Sequence, residues 1–184
     1  MGEVTFREAT ADDARAIALL HADSWRRNYR GIFRDEFLDQ GILDERRGVW
    51  TERLINNPDP QRFVLLAEQD GALAGFICAY GDEHPRLGSL IDNLHVAHDR
   101  QRAGIGRELM RRAGVWLAER FPRSPVYLDV LERNERAIKF YAAVGGRREG
   151  PLMTAGADGT RVSSYHVIWE SPGALIEGAA PNAR

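Results

Sequence analysis

Leu90-Ile91-Asp92-Asn93-Leu94-His95-Val96-Ala97-His98-Asp99-Arg100-Gln101-Arg102-Ala103-Gly104-Ile105-Gly106 carries a strand, a basic turn and a helix start in one run. Residues 90–96 read as a strand. The turn follows, and Gly104 and Gly106 open a helix. Ile105, Leu109, Ala113, Trp116 and Leu117 recur at helical spacing, which gives that helix one apolar face. Glycines at a helix start let a ligand approach the backbone. The unpaired amides and the helix dipole there favour an anion. Arg100, Arg102 and Arg107 surround them, so the run predicts a site for a phosphate-bearing ligand at 102–107.

Outward from this run the punctuation is regular. Downstream, Phe121-Pro122-Arg123-Ser124-Pro125 ends the helix, and Val126–Val130 is a strand. Asn134 caps a helix from Glu135 to Val144, which Gly145-Gly146 stops. Two last strands flank Ala157-Asp158-Gly159. Upstream, Val4–Arg7 is a short strand, and Thr10 caps a helix that runs to about Asn28. After a break at Gly31-Ile32-Phe33, a second helical stretch spans about Asp35–Ile55, divided at Gly41. Arg62–Glu68 and Leu73–Tyr80 form a hairpin about Asp70-Gly71, and 81–88 is a loop. The order β-α-α-β-β-β-α-β-α-β-β predicts an α/β (α+β mixed) fold. Its sheet is mixed, mostly antiparallel, with about seven strands flanked by helices. The strand-helix-strand unit from Leu90 to Val130 supplies a parallel pair with a right-handed crossover. One domain is expected over 1–170, with a flexible Gly-, Ala- and Pro-rich tail at 171–184.

A chain of 184 residues with a net charge of −2 carries no global signal for nucleic acid or a membrane surface. Cys78 is the single cysteine and lies in an apolar run, so it reads as a buried small hydrophobe with no disulfide partner in the chain. No metal site is expected. No leader and no bilayer-length apolar run is seen, and a cytoplasmic location is the expectation.

Several motifs compete for the glycine turn. A P-loop needs Gly-Lys-Ser/Thr, which is absent. A dinucleotide fingerprint needs a third glycine where Leu109 stands, although Asp129 superficially fills its acidic position. A glycine-eased turn flanked by solvated arginines is the bland reading. A further reading uses more of the chain. Gln101-Arg102-Ala103-Gly104-Ile105-Gly106 resembles the Q/R-x-x-G-x-G/A signature of the GCN5-related N-acetyltransferases (the GNAT family). Leu128-Asp129-Val130-Leu131-Glu132-Arg133-Asn134-Glu135-Arg136-Ala137-Ile138-Lys139-Phe140-Tyr141 resembles that family's second motif, L-x-V-x-x-x-N-x-x-A-x-x-F-Y. The resemblance covers most of residues 3–170.

It implies the acyl-CoA N-acyltransferase fold, with strands 90–96 and 126–130 splayed apart, and acetyl-CoA as cosubstrate. Amides of Arg102, Ala103, Gly104, Ile105, Gly106 and Arg107 would hold the CoA pyrophosphate, and Gln101 would also belong to the cofactor site. The strand at Leu94, His95 and Val96 would take the pantetheine arm, with an amide at Leu94 or His95 polarising the thioester. Asn134 would touch CoA, and Tyr141 would be the acid that serves the departing thiolate. Two departures stand out: Gly145-Gly146 replaces the family's Gly-Phe, and Ala103 sits where a polar residue is frequent.

The acceptor amine must lose a proton. Asp129 and Asp92, which sit among core-facing strand residues, are the first candidates for the base, followed by His95; a water chain is an alternative. Trp25, Tyr29, Phe33, the 81–88 loop with Glu83 and His84, and the final hairpin are candidates for the acceptor pocket. Arg26, Arg27, Arg30 and Arg34 form a nearby basic cluster that fits either an acidic substrate or a solvated face. The function implied is N-acetylation of a primary amine on a small molecule or peptide by direct attack in a ternary complex. A non-catalytic acyl-CoA-binding or sensing module is the alternative. The resemblance also suggests a homodimer.

Overall fold

The computed structural model describes residues 2–180. Seven strands form one sheet in the order β1-β2-β3-β4-β5-β7-β6. They are β1 (Thr5–Glu8), β2 (Arg62–Gln69), β3 (Ala72–His84), β4 (Gly88–Val96), β5 (Val126–Leu131), β6 (Arg147–Ala155) and β7 (Arg161–Trp169). All neighbours pair antiparallel except β4 and β5. The architecture is therefore the mixed, mostly antiparallel α/β fold that the element order predicts.

Strand β2 shows why helices cover both faces. Phe63, Leu65 and Ala67 point one way and Val64 and Leu66 the other, and all five are buried. Such a run needs apolar partners on each side. Helices α1 (Ala14–Asn28) and α2 (Ile42–Thr51) supply one layer, with Ile17, Ala18 and Trp50 packed on Leu66, Phe76 and Cys78. Helices α3 (Ile105–Arg120), α4 (Glu135–Ala143) and α5 (Pro172–Ala179) supply the other. Cys78 is fully buried, and burial pushes its thiol up to about 12, so it is an inert core residue.

Three local readings need correction. The 81–88 segment is not a loop throughout, because β3 runs on to His84 and turns only at Pro85–Leu87. The stretch from 35 to 55 holds π-helical turns at Phe37–Gly41 and Glu52–Asn56 on either side of α2. The segment after Ser171, expected to be flexible, forms α5 within the described residues. Ser171 Oγ accepts the Ala174 N–H at 3.2 Å as its N-cap. Leu175 and Ala179 are buried against α3. Residues 181–184 of that tail lie outside the described residues.

Candidate active site

Strands β4 and β5 pair only at Ser89–Val126 and Leu90–Tyr127. Beyond that point they part, as the resemblance implied. The gap opens into a cavity of about 280 Å³ lined by Leu94, His95 and Val96 on one side and Asp129, Val130 and Leu131 on the other. Gly106 and Gln101 close its end at the glycine turn, and Asn134 together with Phe140 and Tyr141 of α4 forms a wall. Every second residue of β4 points its N–H and C=O towards the missing neighbour. A bulge helps the strand turn away: Asn93 pairs with Cys78 and Ile91 with Ala79, leaving Asp92 as the extra residue.

The glycine turn leaves backbone amides free to meet an anion. Gly104, the N-cap of α3, has φ +83°, and Arg102 has φ +66°, so the backbone curls to present its amides. Only Gly104 among these residues needs glycine for its conformation; nothing lies within 4 Å of a Cβ added there. The arginines divide in a way the sequence did not reveal. The Arg100 guanidinium donates to Gln69 Oε1 and Asp70 Oδ2, each at 3.0 Å, tying the turn to the β2–β3 hairpin. The Arg107 guanidinium donates to Ala143 O at 3.0 Å and Gly178 O at 3.1 Å, at the ends of α4 and α5. Arg102 is exposed beside the amides.

Tyr141 lies where the cavity meets α4, half-buried, its ring edge-on to Trp169 at 6.4 Å. Burial raises its phenol above the ordinary value, so it keeps its proton at neutral pH. Gly146 has no ring where the family pattern places a phenylalanine, and the Trp169 indole packs there. A Cβ at Gly146 would meet Trp169 Cζ2 at 2.8 Å, and Trp169 Nε1 donates to Val144 O at 2.8 Å. Asn134 Oδ1 accepts the Ala137 N–H at 3.2 Å, so it is a true N-cap and also lines the cavity.

His95 is held by neighbours. Asn28 Nδ2 donates to Ser24 Oγ at 3.2 Å, and Ser24 Oγ shares a hydrogen bond with His95 Nδ1 at 2.7 Å. The His21 ring lies 4.4 Å from that of His95 and accepts Trp50 Nε1–H at 3.1 Å on Nδ1. Burial, helped by Arg46, pulls His95 down to about 3, and burial drives His21 well below its ordinary range. Both rings are neutral near pH 7.

Asp129 overturns one expectation. It is not enclosed: its side chain is 51% exposed at the cavity mouth, where Oδ1 lies 2.5 Å from Nδ1 of His166, directly opposite on β7. Asp92 faces Arg53, with Oδ2 2.6 Å from Nη1, and lies outside the cavity lining; Arg53 also donates to Asn93 Oδ1 at 2.9 Å. Of the aromatic trio only Tyr29 lines the cavity. Trp25 stacks on Phe33 at 5.1 Å, and Arg46 covers Trp25 at 4.6 Å, so both rings are packing residues. Glu83 and His84 sit at the far end of the sheet, with His84 6.2 Å from Tyr127.

The basic cluster is engaged throughout: Arg26 donates to Leu38 O, Arg27 meets Asp23, Arg30 meets Asp35 and Asp39, and Arg34 meets Asp158. It is a structured face. The final hairpin reaches the cavity as expected, through Thr154 and Ser164, but neither residue was singled out in the sequence; Ser24 and Asn28 of α1, and His166 behind Asp129, were missed as well. No local signal marks them, because each reaches the site through long-range packing or strand register. No group of three or more metal-capable side chains occurs among the described residues, and none of their helices is long and apolar enough to cross a membrane.

This geometry has known counterparts. The family model described as "Acetyltransferase (GNAT) family" matches residues 16–145. The "Uncharacterized N-acetyltransferase YuaI" of Bacillus subtilis is 29% identical over 79% of this chain and 81% of its own length. The streptothricin acetyltransferase of Streptomyces lavendulae is 33% identical over 73% of this chain and 67% of its own. The crystal structure of PaiA N-acetyltransferase from Thermoplasma acidophilum in complex with coenzyme A superposes with a TM-score of 0.69 over 89% of this chain and 98% of the other. Its 18% identity makes that a likeness of fold. With a family model spanning well over half of the residues, and both motifs lining one cavity between splayed strands, the chain belongs to the GNAT family of acetyltransferases.

Proposed function

We propose that the protein transfers an acetyl group from acetyl-CoA to a primary amine by direct attack in a ternary complex. The observation that carries this reading is the continuity of one cavity from Gly106 through Leu94–Val96 to Tyr141. A thioester threaded through the β4–β5 gap has its phosphates at the α3 amides and its reactive end at the phenol. The PaiA complex with coenzyme A supports a CoA ligand for this fold, and the streptothricin acetyltransferase supports a small-molecule acceptor.

The residues divide the work by chemistry. Amides 102–107 and Arg102 hold the pyrophosphate. A β4 amide at Leu94 or His95 receives the oxyanion as the amine nitrogen bonds to the carbonyl carbon. Asp129 takes the first amine proton. His95 is disfavoured for that role because its Nδ1 is taken up by Ser24 and its ring is buried against His21, whereas Asp129 stands open at the cavity mouth. The C–S bond then breaks and Tyr141 donates a hydrogen bond to the thiolate. A phenol raised by burial releases its proton reluctantly to a thiolate with a reference pKa of about 8.5. The proton that settles on sulfur is therefore resupplied by the nitrogen, which is strongly acidic in the tetrahedral adduct.

The test couples binding to turnover. Saturating acetyl-CoA should raise Tm, and Tyr141→Phe should lower kcat about a hundredfold or more while leaving acetyl-CoA affinity nearly unchanged. No Tm shift sinks the CoA assignment. Tight binding without transfer to any amine favours a sensing module.

A further inference from the structure

Ser164 has no place in the transfer steps above, yet it is built into the same cavity. It is 2% exposed, it lines the cavity wall, and its Oγ has no hydrogen-bond partner among the described residues. A buried hydroxyl without a partner destabilises a fold, and the exceptions to full pairing call for an explanation. A ligand that completes the hydrogen bond supplies one.

The strand register places this hydroxyl beside the Asp129–His166 pair. Ser164 lies opposite Leu131, and His166 lies opposite Asp129. Directly opposed residues share a face, so Asp129, Ser164 and His166 all project from the side of the sheet away from α3. Val167 and Trp169, the alternating residues of β7, are buried on the α3 side, which agrees. Asp129 and Ser164 are diagonal neighbours across two strands, and such a diagonal spans roughly 7 Å between backbones. An ammonium that donates to two oxygens at about 2.8 Å each fits between side chains set that far apart.

The surrounding charges favour a cation at this point. Tyr127, next to Asp129 on the same face, is raised by its burial and by the fields of Asp129, Glu83 and Asp92. Asp92 is matched by Arg53, and Glu149, opposite His166 on β6, is matched by Arg147. His84 reaches Tyr127 from the far end, and Arg136, an exposed cation, lines the cavity. Glu83 has no ion-pair partner among the described residues. Tyr29 and Asn134 face the pair across the cavity without charge at neutral pH.

We propose that the Asp129 carboxylate and the Ser164 hydroxyl form the docking site for the ammonium group of the acceptor, with His166 as the positioning residue that orients Asp129. The inference rests on the acetyl-transfer reading and adds where the acceptor is held and in which ionic form it arrives. A primary ammonium enters, donates to Asp129 and Ser164, and sheds one proton to the Asp129–His166 pair. The free amine then attacks the thioester carbon, and the pair returns the proton to solvent at the cavity mouth, where His166 is 22% exposed.

The probes are n-propylamine, tyramine and lysine ethyl ester with acetyl-CoA. Ser164→Ala should raise the amine KM about tenfold, the size of one charge-assisted hydrogen bond, and leave the acetyl-CoA KM unchanged. Its ligand-free Tm should stay equal or rise, because the variant removes an unpaired buried hydroxyl; a purely structural serine gives the opposite. Asp129→Asn should raise the amine KM further and lower kcat. His166→Gln, which can still donate to Asp129, should keep the amine KM, lower kcat and move the acidic limb of the kcat profile; His166→Ala should lose both. Amine KM unchanged in both Ser164→Ala and Asp129→Asn overturns the site, as does a lower ligand-free Tm for Ser164→Ala with equal losses for both substrates. A wild type that acetylates none of the three amines overturns the transfer reading instead. In that case, thermal shifts by the same amines at saturating CoA decide the site: an amine-dependent shift that Ser164→Ala diminishes supports it, and no shift in the wild type overturns it.

Discussion

Acidification from pH 7 to pH 4 should cost the wild-type protein about 3 kcal/mol more folding stability than it costs a His95→Gln variant. The magnitude comes from where the imidazole sits. Burial, with Arg46 nearby, moves His95 from an ordinary 6.5 down to about 3. The unfolded chain binds a proton at this site below pH 6.5, and the folded protein refuses it until about pH 3. The stability contribution is therefore complete above 6.5 and falls as pH drops through that window, the sign required when the unfolded state binds more protons. At pH 4 the unfolded state is about 2.5 pH units into its titration while the folded state is still nearly all neutral, and at 1.36 kcal/mol per unit this gives about 3 kcal/mol.

Glutamine suits the comparison because its side-chain amide can both donate and accept, so it can keep the hydrogen bond that Ser24 Oγ shares with Nδ1 at 2.7 Å, yet it does not titrate. Asp13 and Asp158 are present in both proteins and cancel in the difference, and His21 cancels in the part of its lowering that comes from burial, leaving only the smaller part that comes from His95 itself. Urea unfolding followed by tryptophan fluorescence at pH 7, 6, 5 and 4 measures it, provided the m-values agree between the two proteins. Parallel stability curves, within about 0.5 kcal/mol at every pH, would show that His95 takes a proton in the folded state and would refute its placement behind Ser24 and His21.

Three further outcomes follow from single contacts. Gly104→Ala places a Cβ at φ +83° in open space, so only backbone strain acts; stability should fall by about 1 kcal/mol and Tm by about 2–4 °C, read by calorimetry. Arg107→Gln removes the guanidinium that bridges Ala143 O and Gly178 O, which should cost about 1.5–3 kcal/mol and speed amide hydrogen exchange at 172–180; unchanged exchange there would dissociate Arg107 from α5 docking. Asp158, with no exposed side-chain surface, accepts Arg34 N–H at 2.8 Å and Thr160 N–H at 3.0 Å, and these bonds outweigh its burial to hold the carboxyl at about 2. Its stabilisation is present above 3.8 and is lost as pH falls through about 2; Asp158→Asn should lower stability at pH 7 by about 2 kcal/mol, and an unaltered urea midpoint would contradict that.

What was legible in the sequence tracks how local each feature is. The strand at 90–96, the helix start at Gly104 and the Asn134 cap each depend on a few adjacent residues, and all three were readable. Asp129 was placed on the correct strand face but in the wrong surroundings. Alternation tells which way a side chain points, not whether anything covers that face. Charge counting around the glycines overestimated the cations free for an anion, because the partners of Arg100 and Arg107 lie 30 to 71 residues away. The C-terminal segment misled for a physical reason: glycine-rich composition reads as disorder, yet small residues also permit close docking. A Cβ at Gly178 would sit 2.2 Å from Val144 O, and one at Gly114 would sit 2.9 Å from Ile176 Cγ1. Glycine there is what lets α5 lie against α3 and the end of α4.

The two halves of the cavity consequently differ in how substitution can reshape them. The phosphate end is made of backbone amides fixed by Gly104 and the start of α3, so side-chain changes at neighbours such as Ala103 leave its donors in place. The acceptor end is made of side chains brought together by the β5–β7 register, and its outer rim is the β6–β7 hairpin fastened to the α1–α2 connection through Asp158 and Arg34. Changing Ser164, Thr154 or Leu131 should reshape the cavity without moving β4 or the glycine turn, where the proposed function puts the thioester. A fold with one backbone-built end and one side-chain-built end can keep its acyl donor while its acceptor changes, and that asymmetry follows from the single break in the sheet after Leu90 and Tyr127.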